Sequence, residues 1–137
     1  MESDGSRREG GCGRAWLVAV VDDDTSVLKS LKNLLTSVGH RVEVFGGAEA
    51  FLESKHLRET GCLLLDLRMP GMGGAELFSR LIAAERVIPT IILTAVSEEE
   101  ERERLLDRGA VAYLTKPFRA ADILMAVRDA LETAPYV

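Results

Sequence analysis

Short apolar segments recur along the chain and alternate with longer segments in which apolar residues are spaced three and four apart. A continuous apolar run of roughly four to eight residues is typical of a strand covered on both faces, whereas alternating polar and apolar residues are typical of an outer strand. The segment 41–45 alternates in this way, and the other segments are continuous. The pattern therefore predicts five strands, at 16–21, 41–45, 62–65, 89–93 and 111–114.

A helix is predicted after each strand, and apolar residues at helical spacing carry most of these assignments, at 27–38, 48–54, 77–82 and 123–131. Gly39 and Gly109 are placed to end the first and fourth helices. Ser97 and Glu100 predict a capping box, with Ser97 as the N-cap of the fourth helix. The acidic run 98–101 is interpreted as stabilising the N-terminal dipole of that helix on a solvated face.

Five strand–helix repeats predict an α/β fold, with a parallel sheet and helices on both of its faces. Right-handed crossovers place the carboxyl ends of all the strands at one edge of the sheet, where ligands bind in such folds. We expect one domain over residues 15–133, preceded by a flexible leader at 1–14 that is rich in Gly, Ser, Arg and Glu, and followed by a short tail at 134–137.

Composition and charge limit the class of protein and the cellular compartment that we expect. The 137 residues are 47% hydrophobic, which is enough for one domain with a substantial core. The net charge of −5 argues against direct binding of nucleic acid, and no apolar run approaches the ~18 residues of a membrane span. Cys12 and Cys62 have neither metal-ligand spacing nor the pattern of a disulfide framework, so we expect a cytoplasmic protein.

Chemically reactive side chains follow several strands at the point where each strand ends. Asp22–Asp24 follow the first strand, Asp66 the third, Thr94 the fourth and Lys116 the fifth. Clustered carboxylates suit Mg²⁺, and an adjacent lysine suits a phosphoryl group that arrives with its own negative charge. The Thr94 hydroxyl and the backbone N–H of Ala95 are potential donors to phosphoryl oxygens. The edge therefore suits transfer of a phosphoryl group onto a carboxylate.

These motifs occur together in a known family. Asp22-Asp23 after a Val-Val strand, Asp66 followed by Met69-Pro70, the pair Thr94-Ala95, and the segment 113–118 (Tyr-Leu-Thr-Lys-Pro-Phe) together resemble the receiver (REC) domain of two-component response regulators. The resemblance covers residues 16–131 and implies a flavodoxin-like, doubly wound five-stranded parallel sheet of order 2-1-3-4-5 with five helices. The likeness is greatest to the nitrogen-fixation and nodulation (FixJ-type) receivers, through Gly39, Val42, Phe45 and Phe51-Leu52.

The resemblance implies that Asp66 is the phospho-acceptor and that the site binds Mg²⁺ or Mn²⁺. Asp23 would bind the metal directly, and Asp22 directly or through water. Asp66 itself and the backbone carbonyl of Arg68 would complete the protein ligands. We also hypothesise that the Arg68 side chain tunes the lifetime of the phosphoryl group, because it lies two residues past the acceptor.

The resemblance also implies a way in which the phosphoryl group is sensed. Lys116, Thr94 and the N–H of Ala95 would contact the phosphoryl group. Thr94 and Tyr113 would form a switch pair, in which the Thr94 hydroxyl moves inward and Tyr113 follows into the vacated space. The face formed by the fourth helix, the fifth strand and the fifth helix would then change its preference for partners. One departure from the family is Gly73, which supplies no side-chain cap to the third helix.

The function implied is that of a signalling switch and not of an enzyme. A sensor histidine kinase or a phosphotransfer protein would supply the phosphoryl group, control of transcription would follow, and a phosphorylation-dependent homodimer is expected from the family. One alternative is a receiver fold used as a scaffold without phosphorylation. Another is a haloacid-dehalogenase-like phosphatase with Asp22 as nucleophile and Asp24 as the second acid. A Ca²⁺ loop starting at Asp22 is disfavoured, because its sixth position is Val27 where glycine is required.

Overall fold

The computed structural model describes residues 16–133. The predicted leader at 1–14, which includes Cys12, and the predicted tail at 134–137 lie outside the described residues. The five strands are β1 Leu17–Val21, β2 Arg41–Phe45, β3 Thr60–Asp66, β4 Thr90–Thr94 and β5 Ala112–Thr115. The five α-helices are α1 Thr25–Ser37, α2 Ala48–Leu52, α3 Gly74–Ala83, α4 Glu99–Asp107 and α5 Ala120–Glu132, and a short 3₁₀ turn spans Leu57–Glu59.

The strands form one sheet in the order β2-β1-β3-β4-β5, and every neighbouring pair is parallel. The predicted doubly wound fold and its strand order are therefore confirmed. The order in which strands are added reverses between β1 and β3, because β2 lies on one side of β1 and all later strands lie on the other. The carboxyl ends of these two central strands lie side by side, with Val21 opposite Leu65. This position is the switch point at which open α/β sheets form their sites.

Alternate residues of the central strands enter two apolar cores, one on each face of the sheet. Val18, Val20 and Leu64 face the core made with α1 and α5. Ala19, Val21 and their neighbours on β3 face the core made with α2, α3 and α4. All five residues of β1 are buried, which explains why its sequence is continuously apolar. Packing on both faces therefore holds the sheet in place. It also fixes the backbone that carries the side chains at the carboxyl edge.

Some predicted boundaries are shifted. β3 runs two residues earlier and one later than predicted, so Asp66 is its last residue, and Thr94 is likewise the last residue of β4. β5 begins at Ala112, and Val111 before it is 46% exposed. α2 ends at Leu52, two residues before the predicted end. The helix stops were predicted correctly: Gly39 and Gly109 have φ of 98° and 116°, the left-handed region that glycine adopts without strain.

The predicted capping box at Ser97 is wrong. The N-cap of α4 is Glu98, whose carbonyl accepts from the N–H of Arg102 at 2.9 Å, and among the described residues no side chain caps this helix. The reason is that the chain turns into the helix one residue later than the motif requires, where the Glu98 N–H is directed at the hydroxyl of Tyr113. Among residues 16–133, no helix is long and apolar enough to cross a membrane.

Candidate functional site

Asp66 lies at the centre of the carboxyl edge, because β3 is the middle strand of the sheet and Asp66 is its last residue. Asp22 follows β1 directly, and its N–H donates to the carbonyl of Phe45 at 3.1 Å, which fixes it beside the neighbouring strand. Asp22 is fully buried and Asp66 is 4% exposed, whereas Asp23 is open to solvent. Two buried acids therefore lie beneath one exposed acid.

These three carboxylates converge. One oxygen from each of Asp22, Asp23 and Asp66 lies within 4.8 Å of the oxygens of the other two. Oxygen ligands with one side open to solvent fit Mg²⁺, which prefers carboxylate oxygens and retains several waters. The donor set therefore fits the divalent metal predicted from the sequence.

The environment of Asp66 disfavours its charged form. Burial raises the pKa of Asp66 to about 6, and the negative charge of Asp22 adds to the effect. Lys116 and a hydrogen bond from the backbone N–H of Arg68 act in the opposite direction but do not cancel the rise. The positive charge near Asp66 is therefore too small to offset its burial and the charge of Asp22.

Lys116 supplies the positive charge that the described site does contain. Its Nζ lies 2.9 Å from Oδ2 of Asp22 and 3.5 Å from Oδ1 of Asp66, so one ammonium group bridges the two buried acids. Burial acts to lower the pKa of Lys116, but the hydrogen bond and charge of Asp22, together with Asp66, raise it above its ordinary value. Lys116 is accordingly a permanent cation at this edge.

Asp24 belongs to the adjacent helix and not to the carboxylate cluster. It is the N-cap of α1, and its Oδ1 accepts from the N–H of Ser26 at 2.9 Å and from the hydroxyl of Ser26 at 2.7 Å. The hydrogen bonds from Ser26 lower the pKa of Asp24. Of the three consecutive acids, Asp22 and Asp23 join Asp66, while Asp24 starts the helix.

Thr94 is fully buried at the end of β4. Its hydroxyl donates to the carbonyl of Val96 at 2.9 Å and accepts from the N–H of Val96 at 3.2 Å. Both capacities of the hydroxyl are therefore used by the loop that leads to α4. Ala95, between these two residues, is exposed at the mouth of the site.

Tyr113 is half-buried on β5 and contacts the beginning of α4. Its hydroxyl donates to Oε1 of Glu101 at 3.2 Å and accepts from the N–H of Glu98 at 3.4 Å. Burial raises the pKa of Tyr113, so the phenol is neutral and available as a donor at ordinary pH. The Thr94 and Tyr113 hydroxyls thus engage the two ends of one short segment, 96–98, with Glu101 one turn beyond.

The Arg68 side chain points towards α4. Its guanidinium lies 3.5 Å from a carboxylate oxygen of Glu98 and 3.6 Å from one of Glu101. Sequence analysis missed both glutamates, which it assigned to a solvated helix face. Their spacing of three places them on one side of α4, but no signal in the sequence indicates that this side meets the loop after β3.

The loop between Asp66 and α3 has the glycine-rich structure expected from its sequence. α3 begins at Gly74 with Gly73 as its N-cap, and no side chain caps it among the described residues, as predicted. The N–H of Gly74 instead donates to the carbonyl of Leu67 at 3.0 Å. The backbone is so close here that a Cβ on Gly74 would collide with the carbonyl oxygen of Asp66. Helix α3 is therefore packed directly against the carboxyl end of β3.

A doubly wound parallel sheet with three converging carboxylates and a lysine at its carboxyl edge defines an α/β domain with an acidic pocket whose oxygens fit a divalent metal. Residues 18–128 match the family described as the response regulator receiver domain, so the chain belongs to that family. The receiver family predicted from the sequence is therefore confirmed. Domains of this family bind Mg²⁺ at an acidic pocket, are phosphorylated by histidine kinases, and are signalling domains and not classical enzymes.

Comparison with individual proteins shows which members of the family this chain resembles. The chain is 39% identical over 119 residues to the response regulator protein TmoT of Ectopseudomonas mendocina, covering 87% of this chain and 54% of TmoT. It is 40% identical over 116 residues to nodulation protein W of Bradyrhizobium diazoefficiens, covering 85% of this chain and 51% of the relative. The crystal structure of FixJ-N superposes with a TM-score of 0.82 at 34% identity, covering 91% of this chain and all of FixJ-N. The FixJ-like character is thereby confirmed, and the chain spans about half the length of the curated relatives it matches.

Proposed function

We propose that this chain accepts a phosphoryl group on Asp66 from the phosphohistidine of a sensor histidine kinase or a phosphotransfer protein, in a reaction that requires Mg²⁺. A carboxylate oxygen of Asp66 attacks phosphorus, the P–N bond breaks, and the imidazole leaves with the bonding electron pair. The observation that carries the proposal is the enclosure of Asp66 by two further carboxylates within 4.8 Å and by Lys116 at 3.5 Å.

Asp22, Asp23, Asp66 and the backbone carbonyl of Arg68 would hold Mg²⁺, or Mn²⁺ in its place. The metal would supply positive charge that offsets the oxygens of the incoming group. Lys116 would exchange part of its contact with Asp66 for a phosphoryl oxygen, and its link to Asp22 at 2.9 Å would keep it in position. The enclosing strands orient the acceptor before the reaction, so positioning and charge neutralisation account for the catalysis.

The phosphoryl group would be sensed through Thr94, Ala95 and Tyr113. The Thr94 hydroxyl now donates to the Val96 carbonyl, and a phosphoryl oxygen would compete for that hydrogen. The N–H of Ala95 would donate to a second phosphoryl oxygen. Movement of Thr94 would free space for Tyr113, and the surface formed by α4, β5 and α5 would change its partner preference.

The relatives support a transcriptional output. Several of them are named transcriptional regulatory proteins, FixJ of Bradyrhizobium diazoefficiens among them. We propose that phosphorylation of this chain controls such an effector, with a phosphorylation-dependent homodimer as one route. The net charge of −5 argues against direct contact of this chain with nucleic acid.

The test is labelling with acetyl phosphate and Mg²⁺, which requires no knowledge of the partner kinase. We expect one acid-stable, base-labile phosphoryl group per chain, lost in Asp66→Asn and when EDTA removes the metal. Asp129→Asn is a matched control, since Asp129 lies on α5 with its side chain 65% exposed. Labelling that persists in Asp66→Asn but disappears in Asp22→Asn would instead indicate a phosphatase nucleophile. Intact protein without labelling would indicate a scaffold.

The structure bears on the phosphatase alternative. Oδ1 of Asp22 accepts from the N–H of Asp24 at 2.9 Å, and Oδ2 accepts from Lys116 at 2.9 Å. A fully buried carboxylate with both oxygens engaged is a poor nucleophile. This arrangement favours Asp66 over Asp22 as the acceptor.

A further inference from the structure

The side chains of Arg68, Glu98, Glu101 and Tyr113 form a group that takes no part in the proposed transfer of the phosphoryl group itself, and we call it the α4 bridge. Arg68 belongs to the loop that follows the acceptor, Glu98 and Glu101 to the start of α4, and Tyr113 to β5. The bridge is therefore a side-chain link between the loop after Asp66, here called the acceptor loop, and the helix that Tyr113 contacts.

Glu101 has the central place in the bridge. One of its oxygens, Oε1, lies 3.6 Å from the Arg68 guanidinium and 3.2 Å from the Tyr113 hydroxyl. Its side chain is 17% exposed, compared with 60% for Glu98 and 53% for Arg68. Glu98 contributes a carboxylate to Arg68 and a backbone N–H to Tyr113. Movement of Arg68 would therefore disturb both glutamates, whose groups bind the Tyr113 hydroxyl.

Phosphorylation would change the charge next to this bridge. Arg68 lies two residues past Asp66, and its backbone N–H already donates to the Asp66 carboxylate. A phosphoryl group on Asp66 adds negative charge and further acceptor oxygens at this point, and such groups attract arginine. The guanidinium then has two competing anionic partners, one at the acceptor and one on α4.

We propose that Glu101 is a positioning residue that holds Arg68 and Tyr113 in the unphosphorylated arrangement, and that phosphorylation of Asp66 releases this hold by drawing Arg68 away from α4. The inference rests on the proposed function, since it requires that Asp66 be phosphorylated. It adds a second connection between acceptor and α4, parallel to the one through Thr94. The partners of Glu101 differ in kind, one cation and one phenol, so loss of its charge weakens both contacts at once.

The expected effect of removing the Glu101 charge depends on how exposed the groups of the bridge are. Ion pairs at partly exposed sites change an equilibrium constant by factors of about one to five. Glu101 lies at the upper end of that range, because it is the most buried charged group of the bridge and has two partners. We therefore expect Glu101→Gln to shift the balance between the two arrangements by about two- to fivefold in favour of the phosphorylated one.

Beryllofluoride with Mg²⁺ provides a stable stand-in for the phosphoryl group. The chain has two tyrosines, Tyr113 and Tyr136, so fluorotyrosine incorporated in a Tyr136→Phe background reports on Tyr113 alone by ¹⁹F NMR. We expect Glu101→Gln to show, without beryllofluoride, part of the Tyr113 signal that the parent shows only with it. We also expect its half-saturating beryllofluoride concentration to fall by about two- to fivefold.

Glu100→Gln is the matched control, because it removes the same charge one residue away, from an exposed position on α4. Equal titrations of Glu101→Gln and Glu100→Gln, with the parent responding normally, would overturn the bridge and leave the proposed function standing. A parent that fails to respond to beryllofluoride would overturn both. If Glu101→Gln does not fold, Glu98→Gln tests the same bridge at a side chain that is 60% exposed, and a titration equal to that of Glu100→Gln would again overturn it.

A double variant separates this positioning role from a general effect of charge. Arg68→Gln removes the cation of the bridge, so Glu101→Gln should lower the half-saturating concentration less in an Arg68→Gln background than in the parent. Identical factors in the two backgrounds would show that Glu101 and Arg68 act independently, which would overturn the proposed coupling.

Discussion

Replacing Asp66 by asparagine should make the protein more stable while removing its proposed acceptor. Asparagine has nearly the same shape as aspartate, and its carbonyl oxygen can still accept from the Arg68 N–H, so the change is mainly one of charge. In the folded chain, burial and the charge of Asp22 raise the pKa of Asp66 from 3.8 to about 6. In the unfolded chain the group is expected to have its ordinary pKa.

The sign of the effect follows from linkage. The folded state binds the Asp66 proton more tightly than the unfolded state does, so the contribution of this group to stability is complete below pH ~3.8 and is lost as the pH rises through about 6. The full shift corresponds to about 3 kcal/mol at about pH 7.5. Because the site opens to solvent at Asp23, screening reduces this value, and we expect Asp66→Asn to gain about 2 kcal/mol.

Urea unfolding in EDTA measures this difference. The gain should be smaller by roughly a quarter at about pH 5.5, where the folded wild-type carboxyl is largely protonated. Asp129→Asn again serves as the control, since the Asp129 side chain is 65% exposed, and should change stability by less than about 0.5 kcal/mol. An Asp66→Asn protein that is no more stable than wild type at about pH 7.5, or whose advantage grows towards acid, would refute the electrostatic argument.

Three further predictions follow from the same geometry. Millimolar Mg²⁺ should raise the thermal midpoint of the wild type, and Asp23→Asn should abolish most of that rise, which scanning calorimetry measures. Lys116→Met removes the cation that lies 3.5 Å from Asp66, so the pKa of Asp66 should rise further in an NMR titration, and acetyl phosphate labelling should fall by at least about tenfold. Gly74→Ala should cost more than about 2 kcal/mol in urea unfolding, because its Cβ meets the carbonyl oxygen of Asp66, whereas Gly46→Ala, with no atom within 4 Å of its Cβ, should lose less than about 1 kcal/mol.

The fold was predictable because its pattern is redundant. Each central strand is buried on both faces, so its sequence is continuously apolar, and alternation with helical segments leaves a parallel sheet as the natural solution. The strand order came from resemblance to the receiver family, since strand periodicity carries no information on neighbours. The predicted bounds of β3 were shifted by one or two residues, because the strand begins at a polar residue, Thr60, and ends at another, Asp66, and both are buried.

The assembly of the acids at one edge was also predictable, because the carboxyl ends of parallel strands meet there. The different structural roles of these acids were not predictable from the sequence. Asp22 and Asp24 have the same side chain two residues apart, yet one lies buried against Lys116 and the other caps α1. The direction of the Arg68 side chain also could not be predicted from the sequence, because it depends on how close α4 comes to the acceptor loop. Such contacts between elements distant in the chain require the folded structure.

The raised pKa of Asp66 links the stability of this domain to its proposed use. Two buried carboxylates share one lysine, so the folded chain holds more negative charge at this edge than the described cations neutralise. A rigid sheet, packed on both faces, can hold this unfavourable arrangement because the stabilising contacts lie elsewhere, in the two cores. Any cation that enters the site relieves the repulsion, whereas a phosphoryl group alone increases it. Binding of metal and transfer of phosphate should therefore be thermodynamically coupled, with each raising the affinity for the other. An uncharged acceptor would make the domain more stable but would weaken that coupling.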